Sequence, residues 1–256
     1  MTNRTDCIYV LDHGFVKVVE SWGSDERIIE AARMSTGKGF LGWGPKHSSE
    51  CACGGNVDAD STCVGVSGDE KLLRYLYENK HATPFEFAGL IVEVQAPIFV
   101  FREWLRHRTQ SFNEMSARYT PLPDLNYIPT VERLLIQSGT NKQAASTGAT
   151  LTEENAKRFQ KQLGEVYRHQ QDIYENALAA GVPKELARIH LPVGRYSRMR
   201  ASANLRNWLA FLTLRMAPTA QFEIRQYADC VCQIVREKFP RTWQLFIEAD
   251  EASRRR

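Results

Sequence analysis

Cysteine is scarce for a disulfide scaffold, with 6 in 256 residues, so the fold has to rest on a hydrophobic core. No run of roughly eighteen apolar residues occurs, and a membrane-spanning helix is not expected. Met1 to Asp6 are polar and only a short apolar run follows. This does not read as a secretory leader, and a cytoplasmic location is expected. His-Glu-x-x-His, Gly-x-Ser-x-Gly and a glycine-rich phosphate loop are absent. Their absence argues against zinc-protease, α/β-hydrolase and P-loop chemistry and against a dinucleotide-binding fold.

What is present suits one soluble domain. The chain is 43% hydrophobic and 25% charged, ordinary values that allow a sizeable core. Its net charge is only +3, but the arginines are unevenly placed. Between Leu186 and Arg225 lie seven arginines (Arg188, Arg195, Arg198, Arg200, Arg206, Arg215 and Arg225), no lysine and a single acid, Glu223. Phe101 to Tyr119 holds four more arginines and again no lysine. Solvated helix faces usually mix the two cations. Arginine alone favours bidentate recognition of phosphate or carboxylate, because the planar guanidinium presents a fork of donors. Surface charge on amphipathic helices is the competing reading.

Strand patterns come early and helical patterns late. Cys7–Leu11 and Phe15–Glu20 predict a hairpin around Asp12-His13-Gly14. Ser24-Asp25 opens a helical pattern through Met34, with Ile28, Ile29 and Ala32 on one face. Ser67-Gly-Asp-Glu70 is a capping-box pattern ahead of a helix bearing Leu72, Leu73, Leu76 and Tyr77. Phe85–Val94 suits a strand, and Pro97 suits the first turn of a helix running to about His107. Thr152 opens a long helix that ends before Gly181. Leu191–Arg200 reads as containing a strand, followed by helices from about Ser202 to Arg215, Pro218 to Lys238, and Arg241 to about Glu251. The expected class is α+β, one domain spanning 1–256, with a small, mainly antiparallel sheet and several helices. The tail Arg254–Arg256 reads as frayed.

A Gly-, Ser- and Cys-rich stretch at about 36–66 has no period and reads as a loop insertion. It carries His47, Cys51, Cys53 and Cys63, which are zinc-like ligand types. The Cys-x-Cys spacing is tighter than the usual metal pairs, so a loop with reduced thiols and no metal is the preferred reading.

The strongest signal is the run Arg106-His107-Arg108-Thr109-Gln110-Ser111-Phe112-Asn113-Glu114-Met115-Ser116-Ala117-Arg118-Tyr119. It reads as a helix end with two arginines and then a polar loop. Such a loop can donate to phosphate through Arg106, Arg118 and backbone N–H groups, while Glu114 accepts from a sugar hydroxyl. Helix capping alone explains Arg106, His107 and Arg108. It does not explain the dense run of Asn, Glu, Ser, Arg and Tyr that follows.

At these residues the chain resembles the flavin-dependent thymidylate synthases, whose signature is Arg-His-Arg, seven residues, then Ser. Ala31-Ala32-Arg33-Met34-Ser35, His81-Ala82-Thr83-Pro84-Phe85-Glu86, and Ala187-Arg188-Ile189-His190-Leu191-Pro192 with Asn204-Leu205-Arg206 and Leu214-Arg215 resemble further family segments in the same order. The likeness spans roughly Cys7 to Phe246, interrupted by the insertion.

The resemblance implies methylation of dUMP to dTMP, with methylenetetrahydrofolate as carbon donor and FAD, reduced by NADPH, as hydride source. It implies catalytic roles for Arg215, Ser116 and His81. It implies dUMP contacts at Arg106, Glu103, Glu114, Ser116, Ala117, Arg118, Arg188 and Arg215. FAD contacts are implied at Ser35, His81, Thr83, Glu86, Arg106, His107, Arg108, Thr109, Asn113, Asn204, Arg206 and Ala210, with His81 and Tyr119 on the folate side. Glu103 stands where many members have Gln at the phosphate. An acid there is expected to turn away or to pair with Arg102 or Arg106. Ala210 and Thr219 stand where the family pattern has Asn and His, which weakens a contact at those two places. A homotetramer with FAD sites shared between subunits is also implied, with neither nucleic acid nor membrane as partner.

Two other classes fit parts of the pattern. Arginine clusters with interleaved aromatics suit single-strand nucleic-acid binding, and a nucleotide-binding regulator would keep the fold without the chemistry. No cysteine lies in the arginine motifs, so a thiolate nucleophile is not expected. His13, His47 and His169 read as surface residues.

Overall fold

The computed structural model describes residues 7–44, 68–136 and 150–254. His47, Cys51, Cys53 and Cys63, the Ser67 of the expected capping box and the end of the tail lie outside them. In chain order the elements are β1 (Cys7–Val10), β2 (Gly14–Trp22), α1 (Asp25–Arg33), α2 (Gly68–Glu78), β3 (Gly89–Pro97), α3 (Ile98–Trp104), β4 (Ser111–Glu114), α4 (Val131–Leu135), α5 (Glu153–Ala179), α6 (Lys184–Ala187), β5 (Tyr196–Asn204), α7 (Leu205–Arg215), α8 (Phe222–Lys238) and α9 (Pro240–Arg254). The strands form a five-stranded sheet in the order β1-β2-β3-β5-β4, and the outer pairs at both edges are antiparallel. Mixed helices with a small sheet match the α+β expectation. Among the described residues no helix is long and apolar enough to cross a membrane.

The described residues gather into two compact units. The first comprises those of Met1–Val19, Ile91–Ser202 and Phe211–Val231. Its hairpin sets Cys7 opposite Lys17 and Val10 opposite Gly14. A side chain at position 14 would collide with the Tyr227 hydroxyl and the Val10 carbonyl, which is why the turn ends on glycine. In β5, Met199 and Ala201 are buried while Arg198 and Arg200 face out, the alternation of a half-buried strand. Arg198 Nε donates to Gln95 Oε1 at 2.8 Å, and Arg200 donates to Glu93 at 3.2 Å. The core includes Val16, Val92, Phe101, Trp104, Tyr196, Phe211 and Tyr227. Thr152 caps α5 by accepting from the Asn155 N–H, as its sequence predicts.

The second unit comprises the described residues of Glu20–Leu90, Ala203–Ala210 and Cys232–Arg256. Ser24 caps α1 by accepting from the Arg27 N–H. Ile28 and Ile29 are fully buried, in a core with Leu73, Leu90, Trp208, Val235 and Phe239. Asp25, only 3% exposed, accepts from the Arg241 N–H at 2.8 Å and from the Thr242 N–H and hydroxyl at 3.1 and 2.6 Å. It therefore satisfies first-turn donors of α9 that the helix itself leaves unpaired.

Three sequence expectations shift. Phe85–Val94 is not one strand: Thr83–Phe87 is a 3-10 turn with Pro84 in its first positions, and β3 starts at Gly89. Proline's fixed φ suits that turn. A Cβ at Gly89 would strike the Trp22 ring and the Ala203 carbonyl. The helix expected from Ser202 starts at Leu205, because Asn204 Oδ1 accepts from the Asn207 N–H at 3.0 Å and caps it. Ser111–Glu114, read as polar loop, is the edge strand β4.

Candidate active site

Helix α3 ends at Trp104, which is fully buried, with its Nε1 donating to Gln110 Oε1 at 3.0 Å. That bond fixes the turn carrying Arg106, His107 and Arg108. Phe211 supports the same turn, with its ring centroid 4.7 Å from Trp104 and 4.9 Å from His107. One turn further along α7, Arg215 makes three bonds to this region. Its Nε donates to His107 Nε2, its Nη1 to Glu103 Oε2 and its Nη2 to the Glu103 carbonyl, each at 2.8 Å. Glu103 thus pairs with Arg215, and with neither Arg102 nor Arg106. Phe211 and Arg215 are four apart, so the helix period puts both on one face.

Burial, then the nearby Arg215 charge, holds the His107 imidazole down at about 4, with Glu103 opposing. Its Nε2 accepts, so the ring is neutral with the proton on Nδ1. Arg106 and Arg108 are exposed and have no ion-pair partner among the described residues. Arg133, Arg195, Arg198 and Arg200 in the same unit are each bound to an acid or amide. Unneutralised guanidiniums on one turn fit an anionic group such as a phosphate or pyrophosphate.

A second group forms along β4 and the turn after it. The pairing puts Asn113 opposite Arg200 and Glu114 opposite Met199. The Glu114 side chain reaches solvent, yet enough protein surrounds its carboxyl to raise its pKa, with the Ser197 hydroxyl and the Arg188 charge opposing. Ser116 shapes the turn. Its Oγ accepts from the Arg118 N–H at 3.3 Å, and its carbonyl accepts from the Tyr119 and Thr120 N–H groups. Ala117 is buried, and the Arg118 guanidinium lies 5.5 Å from the Tyr119 ring centroid. Lys184 Nζ donates to the Tyr119 carbonyl at 3.0 Å. This ties α6, and Arg188 just beyond it, to the Arg118 turn. Lys184 and Ser197 were not singled out from sequence, since neither lies in a motif and only long-range packing brings them here.

In the second unit, Glu86 and Arg206 form an ion pair at 2.6 Å. Asn204 caps α7, His81 meets the Tyr75 ring edge-on at 5.4 Å, and Ser35 Oγ donates to the Ala32 carbonyl at 3.2 Å. Thr83 opens the 3-10 turn that carries Glu86. Ala210 is exposed. No cluster of His, Cys, Asp or Glu suited to a metal occurs among the described residues.

Comparison with known proteins gives the family. Residues 17–241 match the family described as thymidylate synthase complementing protein. The chain is 39% identical over 241 residues to a flavin-dependent thymidylate synthase of Thermus thermophilus, covering 94% of this chain and 78% of that one. It is 36% identical over 243 residues to a flavin-dependent thymidylate synthase of Wolbachia pipientis wMel, covering 93% and 75%. Among solved structures it resembles the UMP/dUMP methylase PolB from Streptomyces cacaoi bound with 5-Br dUMP. The TM-score is 0.73 at 30% identity, over 94% of this chain and 97% of that one.

The fold is of the class those methylase structures define. The chain belongs to the flavin-dependent thymidylate synthase family and is an enzyme of that family.

Proposed function

We propose that the protein methylates dUMP to dTMP in the cytoplasm, with methylenetetrahydrofolate as carbon donor and FAD, reduced by NADPH, as hydride source. The observation that carries this is the set of arginines around the Arg106–Tyr119 run. Arg106 and Arg108 are exposed without a counter-ion among the described residues, and Lys184 ties the Arg118 turn to the segment bearing Arg188. Related proteins, 39% and 36% identical to this chain, are named for flavin dependence and thymidylate synthesis.

In this reading Arg106, Arg118 and Arg188 bind the dUMP phosphate. Glu114, Ser116 and Ala117 hold the sugar and base. Fixing the nucleotide in this way orients its ring for reaction, an effect that reaches about 7–11 kcal/mol in the best cases. Arg215 stabilises negative charge developing on the uracil, as a fixed donor set in place before the reaction. Ser116 serves mainly to bind, since its Oγ already accepts from the Arg118 N–H. His81 and Tyr119 face the folate, Tyr119 being 75% exposed.

FAD is assigned to Arg106, His107, Arg108, Thr109 and Asn113 and to Ser35, His81, Thr83, Glu86, Asn204, Arg206 and Ala210. The fit rests on the exposed cations Arg106 and Arg108, which suit a pyrophosphate. Bound FAD, once reduced, would supply the hydride.

A homotetramer sharing these sites is part of the proposal. Leu186 and Ile189, 54% and 78% exposed, flank Arg188, and exposed apolar side chains beside a binding residue suit a surface that a second copy covers.

The test is a spectrum followed by an assay. Protein given FAD should show the yellow oxidised-flavin absorbance, NADPH or dithionite should bleach it, and dUMP with methylenetetrahydrofolate should yield dTMP. No FAD binding at micromolar concentration overturns the reading.

A further inference from the structure

We propose that Glu103 is a positioning residue, not a nucleotide contact: it fixes the directions in which Arg215 can donate. The inference rests on Arg215 acting at the nucleotide, as proposed above. A guanidinium has five N–H donors. Three are taken here: Nε by His107, one Nη1 hydrogen by the Glu103 carboxylate and one Nη2 hydrogen by the Glu103 carbonyl. One hydrogen remains on each terminal nitrogen, and these two donors are what Arg215 has left for a ligand.

All three acceptors lie on the end of α3 and the turn after it, while Arg215 lies on the last turn of α7. The Arg215 side chain is 16% exposed and that of Glu103 42% exposed. The pair is therefore screened on the arginine side and open on the carboxylate side. An arginine on a final helix turn has many rotamers, and three acceptors at 2.8 Å select one. The Glu103 carboxylate also pairs with Arg215, so a ligand meets a cation whose two remaining donors are already oriented. His107 contributes a neutral acceptor, its pKa lowered first by burial and then by Arg215.

Helix capping is the competing account, because the Nη2 bond to the Glu103 carbonyl alone would stabilise the end of α3. That account needs no side chain at position 103. The carboxylate bond is what a cap does not require and a positioning device does.

The experiment compares wild type, Glu103→Ala, Glu103→Asp and Glu103→Gln as FAD-loaded enzymes. It measures kcat and KM for dUMP, and it reads the His107 tautomer by imidazole nitrogen shifts. A misplaced catalytic group costs about ten- to hundredfold. Glu103→Ala should therefore lose about tenfold or more in kcat, with the dUMP KM within about threefold of wild type. Glu103→Gln keeps an acceptor oxygen at the same reach and should regain most of that loss. Glu103→Asp, one methylene shorter, should fall between and stands in if the Ala variant does not fold. His107 should hold the proton on Nδ1 in wild type and Glu103→Gln and show averaged nitrogens in Glu103→Ala. A Glu103→Ala kcat within twofold of wild type overturns the proposal, as does a loss confined to KM or an unchanged His107 tautomer. Failure of the functional reading looks different: the wild type itself would hold no flavin and form no dTMP.

Discussion

Arg215 Nε donates to His107 Nε2 at 2.8 Å, joining residues 108 positions apart in the chain. A protonated imidazole has no acceptor to offer, so this bond and the positive charge of Arg215 both require His107 to be neutral.

Stability should therefore depend on pH through His107. Its folded pKa is lowered from 6.5 to about 4. Between those values the unfolded chain binds a proton that the folded chain refuses, so stability falls as pH drops from about 6.5 towards 4. His107→Asn removes the titration. Urea unfolding at pH 7 and pH 5 should show the wild-type advantage over His107→Asn shrinking at the lower pH. An advantage that stays constant or grows contradicts the assignment.

Arg118 offers a test of phosphate recognition. Arg118→Ala should weaken dUMP binding by about 1.5–3 kcal/mol, the range for a hydrogen bond to a charged group. That is roughly ten- to hundredfold in Kd. Arg118→Lys should recover little, because a point charge does not replace the fork. Calorimetric titration with dUMP decides, and wild-type affinity in Arg118→Ala would remove this residue from the site.

No cysteine should act as nucleophile. Burial pushes the Cys230 thiol up to about 11 and raises Cys7 as well. Cys232 is buried and accepts from Trp243 Nε1 at 3.3 Å. Thiols held above their ordinary range are poor thiolates at neutral pH. Each of the six cysteines should be replaceable by Ser or Ala with dTMP formation largely retained. A folded, flavin-loaded variant without activity would show that the residue takes part.

Asp25 is the clearest point of structural dependence. Asp25→Ala leaves the donors of Arg241 and Thr242 buried and unpaired, at a cost of about 1–3 kcal/mol. Burial, opposed by those three donors, raises the Asp25 pKa above 3.8. Its proton is therefore held more tightly in the folded state, and the residue's contribution to stability declines as pH rises through the raised value. Asp25→Asn keeps one acceptor and avoids burying a charge, so it should cost less than Ala at pH 7. Urea midpoints rank the three proteins, and an Asp25→Ala midpoint equal to wild type would show that α9 does not depend on this cap.

Local rules settled much of the chain from sequence alone. Asp12-His13-Gly14 gave the hairpin, and Ser24 and Thr152 are the caps of α1 and α5. The Arg106–Tyr119 run identified the family without any coordinates. These signals are short-range: a turn, a cap or a motif is written in adjacent residues, and its physics acts within one or two turns of chain. What the sequence did not disclose depends on partners far away in it. Ser111–Glu114 is polar and short, and it becomes a strand only because β5 lies beside it to take its backbone bonds. Glu103 carries no local sign of its partner, and its pairing with Arg215 spans 112 positions. Lys184 reaches the Tyr119 carbonyl across 65 positions, and Asp25 reaches α9 across 216. Which of several nearby cations an acid takes, and which donor fills a buried carboxylate, is decided by where packing places them once apolar faces are buried.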